Sequence, residues 1–191
     1  DVISGLADGL SVLSADAECR TIILTGAGEK AFAAGADIKE FEALGPLEAE
    51  ALALRTQALH AAIRDCPKPV IAAVQGTASA AGCQLVATCD LAYASARASF
   101  CTPGVNIGLF CSTPMVPLSR TVPSKLAMEM LLVGGVHDAE FAARAGLVNA
   151  VVPQNDLTAH VMAKAQVIAG KSQQAIRFGK RSFYEQRALP L

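Results

Sequence analysis

Short, uninterrupted apolar runs alternate along this chain with longer stretches whose apolar residues recur every three or four positions. The strongest runs are RTIILTG (20–26) and VIAAVQG (70–76). Both are rich in β-branched residues and end on glycine, the pattern of strands buried on both faces of a parallel sheet. LAYASA (91–96), ASFCTPGVNIGLF (98–110, a strand running into a loop) and LVNAVVP (147–153) continue the series. Between them, helical periodicity predicts elements over 3–16, 45–69 and 79–90. The stretch AGEKAFAAGADIKEF (27–41) reads as a small-residue loop running into a short helix. In the second of the longer helices Leu52, Leu59 and Ile63 share a face. Pro46 suits its first turn, Glu48 and Glu50 sit at the positive end of its dipole, and Pro67 and Pro69 stop it. Beyond Ser112 the pattern is mostly helical: 113–122, 124–134, 137–146, 156–170 and 173–186. Strands alternating with helices imply an α/β core with a helical C-terminal region. No linker or low-complexity segment divides the 191 residues, which read as a single domain, 1–191.

Composition narrows the function classes. Hydrophobic residues make up 52% and charged residues 17%, enough for a sizeable core. Aromatics are only 5% and Trp is absent, so the core relies on Ala, Val, Leu and Ile, which permit close approach of backbones. A net charge of −1 excludes electrostatic capture of nucleic acid or an anionic membrane. No apolar run approaches the roughly 20 residues of a membrane span. The six cysteines, Cys19, Cys66, Cys83, Cys89, Cys101 and Cys111, form no C-x-x-C pair and read as small buried hydrophobes in a reducing compartment; no metal site is expected. No secretory signal is visible, and no G-x-G-x-x-G follows the first strand, which argues against a nucleotide-binding Rossmann unit.

Two segments share one plan: strand, small-residue loop, helix. TIILTG leads to AFAAGADIKE, and VIAAVQG leads to SAAGCQLVATCD. Each presents backbone N–H groups free of bulky side chains, and two such donors aimed at one point make an oxyanion hole. Taken singly, each motif also fits mere close packing. Cys83, Cys101 and Cys111 lie in segments around the second loop, but a cysteine nucleophile needs a base, and His60, His137 and His160 fall in helical stretches with no signal for such a partner. Asp90 reads as a structural turn, and Asp138 as the start of a helix.

AFAAGADIKEF, the pattern G-x-x-x-x-x-G-C-x-L-x-x-x-C-D over 76–90 and GLVNAVVP together resemble the enoyl-CoA hydratase/isomerase, or crotonase, superfamily, over nearly the whole chain. The wording of AAGCQL and TPGVNIGLFCSTP is nearest its branch of enoyl-CoA hydratase domain-containing proteins. The resemblance implies a crotonase-like spiral of ββα turns, assembly as a homotrimer or hexamer, and an acyl-CoA or enoyl-CoA thioester as partner, with coenzyme A as part of the substrate and no separate cofactor. It implies that the backbone N–H groups of Ala36 and Ala81 are the oxyanion donors, and that Ala34, Ala36, Asp37, Ile38 and Lys39 line the bend where CoA lies. The resemblance also implies that the chain lacks the family's first strands and last helices. Location follows source: cytoplasmic in a bacterium, the mitochondrial matrix in a eukaryote.

The departures concern catalysis. Hydratases of the family carry one glutamate where Gln84 stands and a second where Gly104 stands. A glutamine amide orders a water but has no proton to exchange near neutral pH, and glycine offers only its backbone. General acid–base catalysis contributes roughly 10²–10⁴-fold, so hydration is expected to be weak or absent while thioester binding persists. The alternative is a non-catalytic acyl-CoA-binding regulator or oligomer partner, which turnover distinguishes from an enzyme.

Overall fold

A computed structural model describes residues 2–37, 39, 43–187 and 189. Among these residues eight strands fall into two four-stranded sheets, and the chain visits them alternately up to β6. Strands β1 (Ile22–Thr25), β3 (Val70–Val74), β5 (Leu91–Ser95) and β8 (Ala150–Val152) form one sheet in that order. Strands β2 (Ala31–Ala33), β4 (Thr77–Ser79), β6 (Ser99–Cys101) and β7 (Val136–Asp138) form the other. Each pair β1β2, β3β4 and β5β6 thus gives one strand to each sheet, which is the ββα spiral the resemblance implies. β3, β5 and β8 pair in parallel, as do β2, β4 and β6; β7 closes the second sheet antiparallel to β6. All five residues of β3 are buried, as its unbroken apolar run requires. β1 departs from expectation: it is an edge strand in which only Ile22 is buried and Thr25 is exposed.

The helices are α1 (Val2–Ala15), α2 (Pro46–Asp65), α3 (Ala81–Thr88), α4 (Ser112–Thr121), α5 (Ser124–Val133), α6 (Ala139–Arg144), α7 (Leu157–Ala169) and α8 (Gln173–Gln186). α2 opens as its sequence dictates. Pro46 occupies the first turn, and the Glu48 carboxylate accepts from the Gly45 N–H at 2.8 Å. Of its expected apolar face, Leu59 and Ile63 are buried and Leu52 is half-buried. Asp138 caps α6 by accepting from the Phe141 N–H at 2.7 Å. His137 lies in β7, not in a helix, because the residues before that cap pair with Phe100 and its neighbours.

Backbone contacts divide the chain into two compact units, one comprising 1–22, 37–70 and 165–191 and the other 23–36 and 71–164. In the first, α1 packs on α2 around Leu10, Leu59 and Ile63. Lys180 on α8 donates to the carbonyls of Ile63 and Lys68 at 3.1 and 3.0 Å, and Lys68 donates in turn to those of Leu13 and Asp16. Of these carbonyls, Leu13 and Ile63 lie in the last turns of α1 and α2, where helical partners run out. In the second unit α3 packs on α4, and the buried Thr102 hydroxyl donates to the Met130 carbonyl at 2.8 Å. Asn106 donates to the Gly134 carbonyl at 3.0 Å, so the turn over 103–107 is fastened to the end of α5 at two points. No helix among the described residues is long and apolar enough to cross a membrane.

Candidate functional site

The second unit brings the two small-residue loops together. β2 and β4 are parallel neighbours, with Ala33 registered on Ala78. The loop after β2 therefore leaves the sheet beside the loop after β4. Gly35 has φ +99°, a conformation that L side chains rarely adopt, and any Cβ there would lie 3.3 Å from both the Ser79 carbonyl and the Ala80 methyl and 4.0 Å from the Ala81 nitrogen. Gly82 is pressed still closer: a Cβ would fall 2.1 Å from the Ala33 carbonyl oxygen. The first turn of α3 thus sits directly on the loop that carries Ala34 and Ala36, and only glycine fits at the junction.

Ala80 is where this approach is won. It has φ 47° and ψ −108°, the only positive φ outside glycine among the described residues. Such a conformation costs about 1–3 kcal/mol and persists where the surroundings hold it. Here the Ala80 N–H donates to the Cys101 carbonyl at 2.9 Å, and the Ala80 carbonyl accepts from the Gln84 N–H at 3.0 Å. Turned this way, the chain starts α3 at Ala81, whose N–H has no carbonyl one turn earlier to donate to. Ala36 is exposed and Ala81 half-exposed. Backbone amides on touching loops, one of them at a helix N-terminus, are the kind of donor that can stabilise a developing oxyanion.

Gln84 is 7% exposed, and its Oε1 is a buried oxygen without a hydrogen-bond partner. Gln84 is one turn into α3, three residues after Ala81. Leaving such a group unsatisfied costs about 1–3 kcal/mol, which packing alone does not explain. Gly104 sits in the turn after β6, half-buried. A Cβ on it would come 2.6 Å from the Leu109 carbonyl oxygen and 2.8 Å from the Cys111 sulfur, so the turn has closed around the missing side chain. The three expected thiols do converge. Cys83 is fully buried and its thiol is pushed up to about 12, first by burial and then by the neighbouring Cys101 and Cys111. That keeps it protonated and inert. No group of His, Cys, Asp or Glu among the described residues is arranged to hold a metal ion.

The rest of the expected CoA loop is placed less fully. Ala34 and Ala36 lie in this unit. Asp37 and Lys39 belong to the other, where the Asp37 carboxylate accepts from the Lys39 N–H at 3.0 Å, a local turn that orients the loop. Ile38 and the helix start expected near Ala36 lie outside the described residues. Sequence reasoning missed two features of the site. One is the strained Ala80, which a plain alanine does not advertise. The other is the fit of Gly82 against Ala33, for which the glycine before Cys83 was the available signal. The first unit has a separate cleft of about 450 Å³ lined by Lys68, Arg177 and Phe178 among others, and it contains none of the expected site residues.

The family model described as enoyl-CoA hydratase/isomerase matches residues 1–191. A mouse protein named enoyl-CoA hydratase domain-containing protein 3, mitochondrial, is 44% identical over 173 residues, 90% of this chain and 58% of its own. A crotonyl-CoA hydratase of Syntrophomonas wolfei is 35% identical over 97% of this chain and 72% of its own. Among solved structures, an enoyl-CoA hydratase of Mycobacterium smegmatis superposes with a TM-score of 0.94 at 43% identity, over 99% of this chain and 74% of that one. The human enoyl-CoA hydratase domain-containing protein 3 does so with 0.92 at 41%, over 99% and 76%. The chain spans about 58% of the length of the mouse relative it matches.

Proposed function

The chain belongs to the enoyl-CoA hydratase/isomerase family, and from that premise we propose that it binds an acyl-CoA or enoyl-CoA thioester with the carbonyl oxygen between the N–H groups of Ala36 and Ala81. The observation that carries this reading is the seating of the 34–36 loop on the first turn of α3, held by the strained Ala80 and fitted by Gly35 and Gly82. The small side chains at Ala34, Ala36 and Ala81 leave the backbone open to a thioester.

Hydration at this site is weak. Neither Gln84 nor Gly104 moves a proton, and no carboxylate takes their place by motif. What the hole supplies without them is polarisation of the carbonyl and stabilisation of an enolate. A second reading, a non-catalytic acyl-CoA-binding regulator, draws on the same two positions. The mouse relative's name supports a mitochondrial location if the source is eukaryotic, and the family as a whole is the ground for a role in fatty-acid metabolism. The exposed Met128, Leu132 and Val133 of α5 and Phe183 of α8 support a homotrimer or hexamer.

Calorimetry with butyryl-CoA, together with crotonyl-CoA hydration followed by loss of enoyl absorbance, tests the proposal. Saturable binding with turnover far below the ordinary enzyme rate of about 10 per second is expected. Turnover at that ordinary rate contradicts the loss of acid–base groups, and no binding contradicts the site itself.

A further inference from the structure

The cleft of about 450 Å³ in the first unit has the size of a small-molecule site, and the thioester reading leaves it unused. The end of α1, the turn after α2 and the first turns of α8 line it. Gln173, Gln174, Arg177 and Phe178 face it together, because residues four apart stand one above the other on a helix. Arg177 is exposed and has no hydrogen-bond or ion-pair partner among the described residues. Lys68 brings a second positive charge to the wall while donating to the Leu13 and Asp16 carbonyls. The Asp16 carboxylate, also on the wall, turns back to accept from the Glu18 N–H at 2.9 Å. The charge distribution along the chain has the same sign. Residues 165–191 hold five Lys and Arg and one acid, Glu185, in a chain of net charge −1. Glu185 is itself paired with Arg181 at 2.7 Å. The stretch that supplies the α8 wall is therefore strongly positive, which draws an anion to the cleft. The α8 N-terminus is already capped by the Ser172 hydroxyl, which accepts from the Ala175 N–H at 3.3 Å, so holding that anion falls to side chains.

We propose that this cleft binds a nucleoside monophosphate, with the phosphate on the Arg177 guanidinium and the base on the Phe178 ring. A guanidinium meets a phosphate with paired, charge-assisted hydrogen bonds. Phe178 is more than half exposed next to Arg177, and Pro67 adds apolar surface to the same cleft. An exposed aromatic ring is a platform on which any base stacks. The Gln173 amide is held through its Nε2, which donates to the Lys171 carbonyl at 3.2 Å, so its oxygen remains an acceptor for an exocyclic amine. Inorganic phosphate would use only Arg177 and leave most of the volume and the Phe178 ring uncovered. The ligand is held without any bond being made or broken. It touches α1, the turn after α2 and α8 at once, so its occupancy ties together three segments that are far apart in the sequence. None of Ala34, Ala36, Ala81 and Gln84 lines the cleft, and binding there does not depend on a thioester.

The test is isothermal titration with AMP, inorganic phosphate and adenosine, with the AMP titration repeated in excess butyryl-CoA. Saturable AMP binding is expected, weakened at least about tenfold in Arg177→Gln and in Phe178→Ala. Both residues are exposed, so neither change removes a core contact. Phosphate and adenosine should each bind at least about tenfold more weakly than AMP, since each keeps only one of the two contacts. Excess butyryl-CoA should leave the AMP titration unchanged. Lys125→Gln, which removes an equal charge from an exposed position in the second unit, should leave it unchanged as well. AMP should also raise the thermal midpoint of the wild type and not that of Arg177→Gln. Absence of saturable AMP binding overturns the proposal, as does full affinity in Arg177→Gln or an equal loss in Lys125→Gln. Phosphate binding as tightly as AMP marks a simple anion site, and adenosine binding as tightly marks an apolar one; either result overturns it. Displacement of AMP by butyryl-CoA puts the nucleotide in the thioester site and overturns it too.

Discussion

At the scale of single residues, the site is built from what is missing. Gln84 keeps an unsatisfied amide oxygen in a nearly closed position, which a purely structural residue has no reason to do. Replacing it by methionine, of similar length and without polar atoms, should raise stability by about 1 kcal/mol in urea unfolding while weakening the site's hold on polar ligand groups. A loss of stability on that change would show that the amide has a partner in solution. Gln84 was legible in the sequence as the residue standing where the resemblance implies a glutamate, because a single position in a recognisable motif carries it. The consequence at 104 was not. The sequence does not tell whether a side chain would fit at Gly104. The obstacle is the Leu109 carbonyl and the Cys111 sulfur, five and seven residues later, which occupy the space a side chain would need. Restoring a carboxylate there requires moving backbone, so Gly104→Glu is not a simple repair.

At the scale of elements, long periodic segments were readable, as were the short strands β6 and β8 inside apolar runs, while three other short strands were not. β2, β4 and β7 are too short to show alternation, and β2 lies inside a stretch that reads as loop. Yet β2 and β4 aim both loops of the site, so the elements hardest to see in the sequence position the chemistry. β3 was visible because all its residues are buried; β1 looked similar in sequence but lies at a sheet edge. Helix α2 offers a pH test. Burial lowers the pKa of His60 from its ordinary 6.5 to about 4. The unfolded chain takes up a proton below pH 6.5 while the folded chain refuses it until about 4. Stability from this group is therefore fully present above 6.5, declines as pH falls, and is fully lost near 4. The urea midpoint of the wild type should fall between pH 7 and 4.5 by more than that of His60→Leu. Equal declines would place the pH dependence in other groups.

For the whole molecule, the apolar surfaces on each unit call for partners. α5 leaves Met128, Leu132 and Val133 at 44%, 57% and 64% exposure, with Val136 beside its end, and α8 leaves Phe178 and Phe183 more than half exposed. Surfaces of this kind mark association sites more often than solvent faces. Sedimentation at micromolar concentration should give a trimer or larger, and a monomer would contradict the assembly. The central claim is narrower and concerns one bond. Butyryl-CoA labelled with ¹³C at the thioester carbonyl, examined by isotope-edited infrared difference spectroscopy, reports directly on that oxygen. Two preorganised backbone donors should lower its stretching frequency on binding below the value in water, and Ala81→Val should abolish the shifted band. A bound thioester whose carbonyl frequency equals that in water would mean that Ala36 and Ala81 do not form the oxyanion hole.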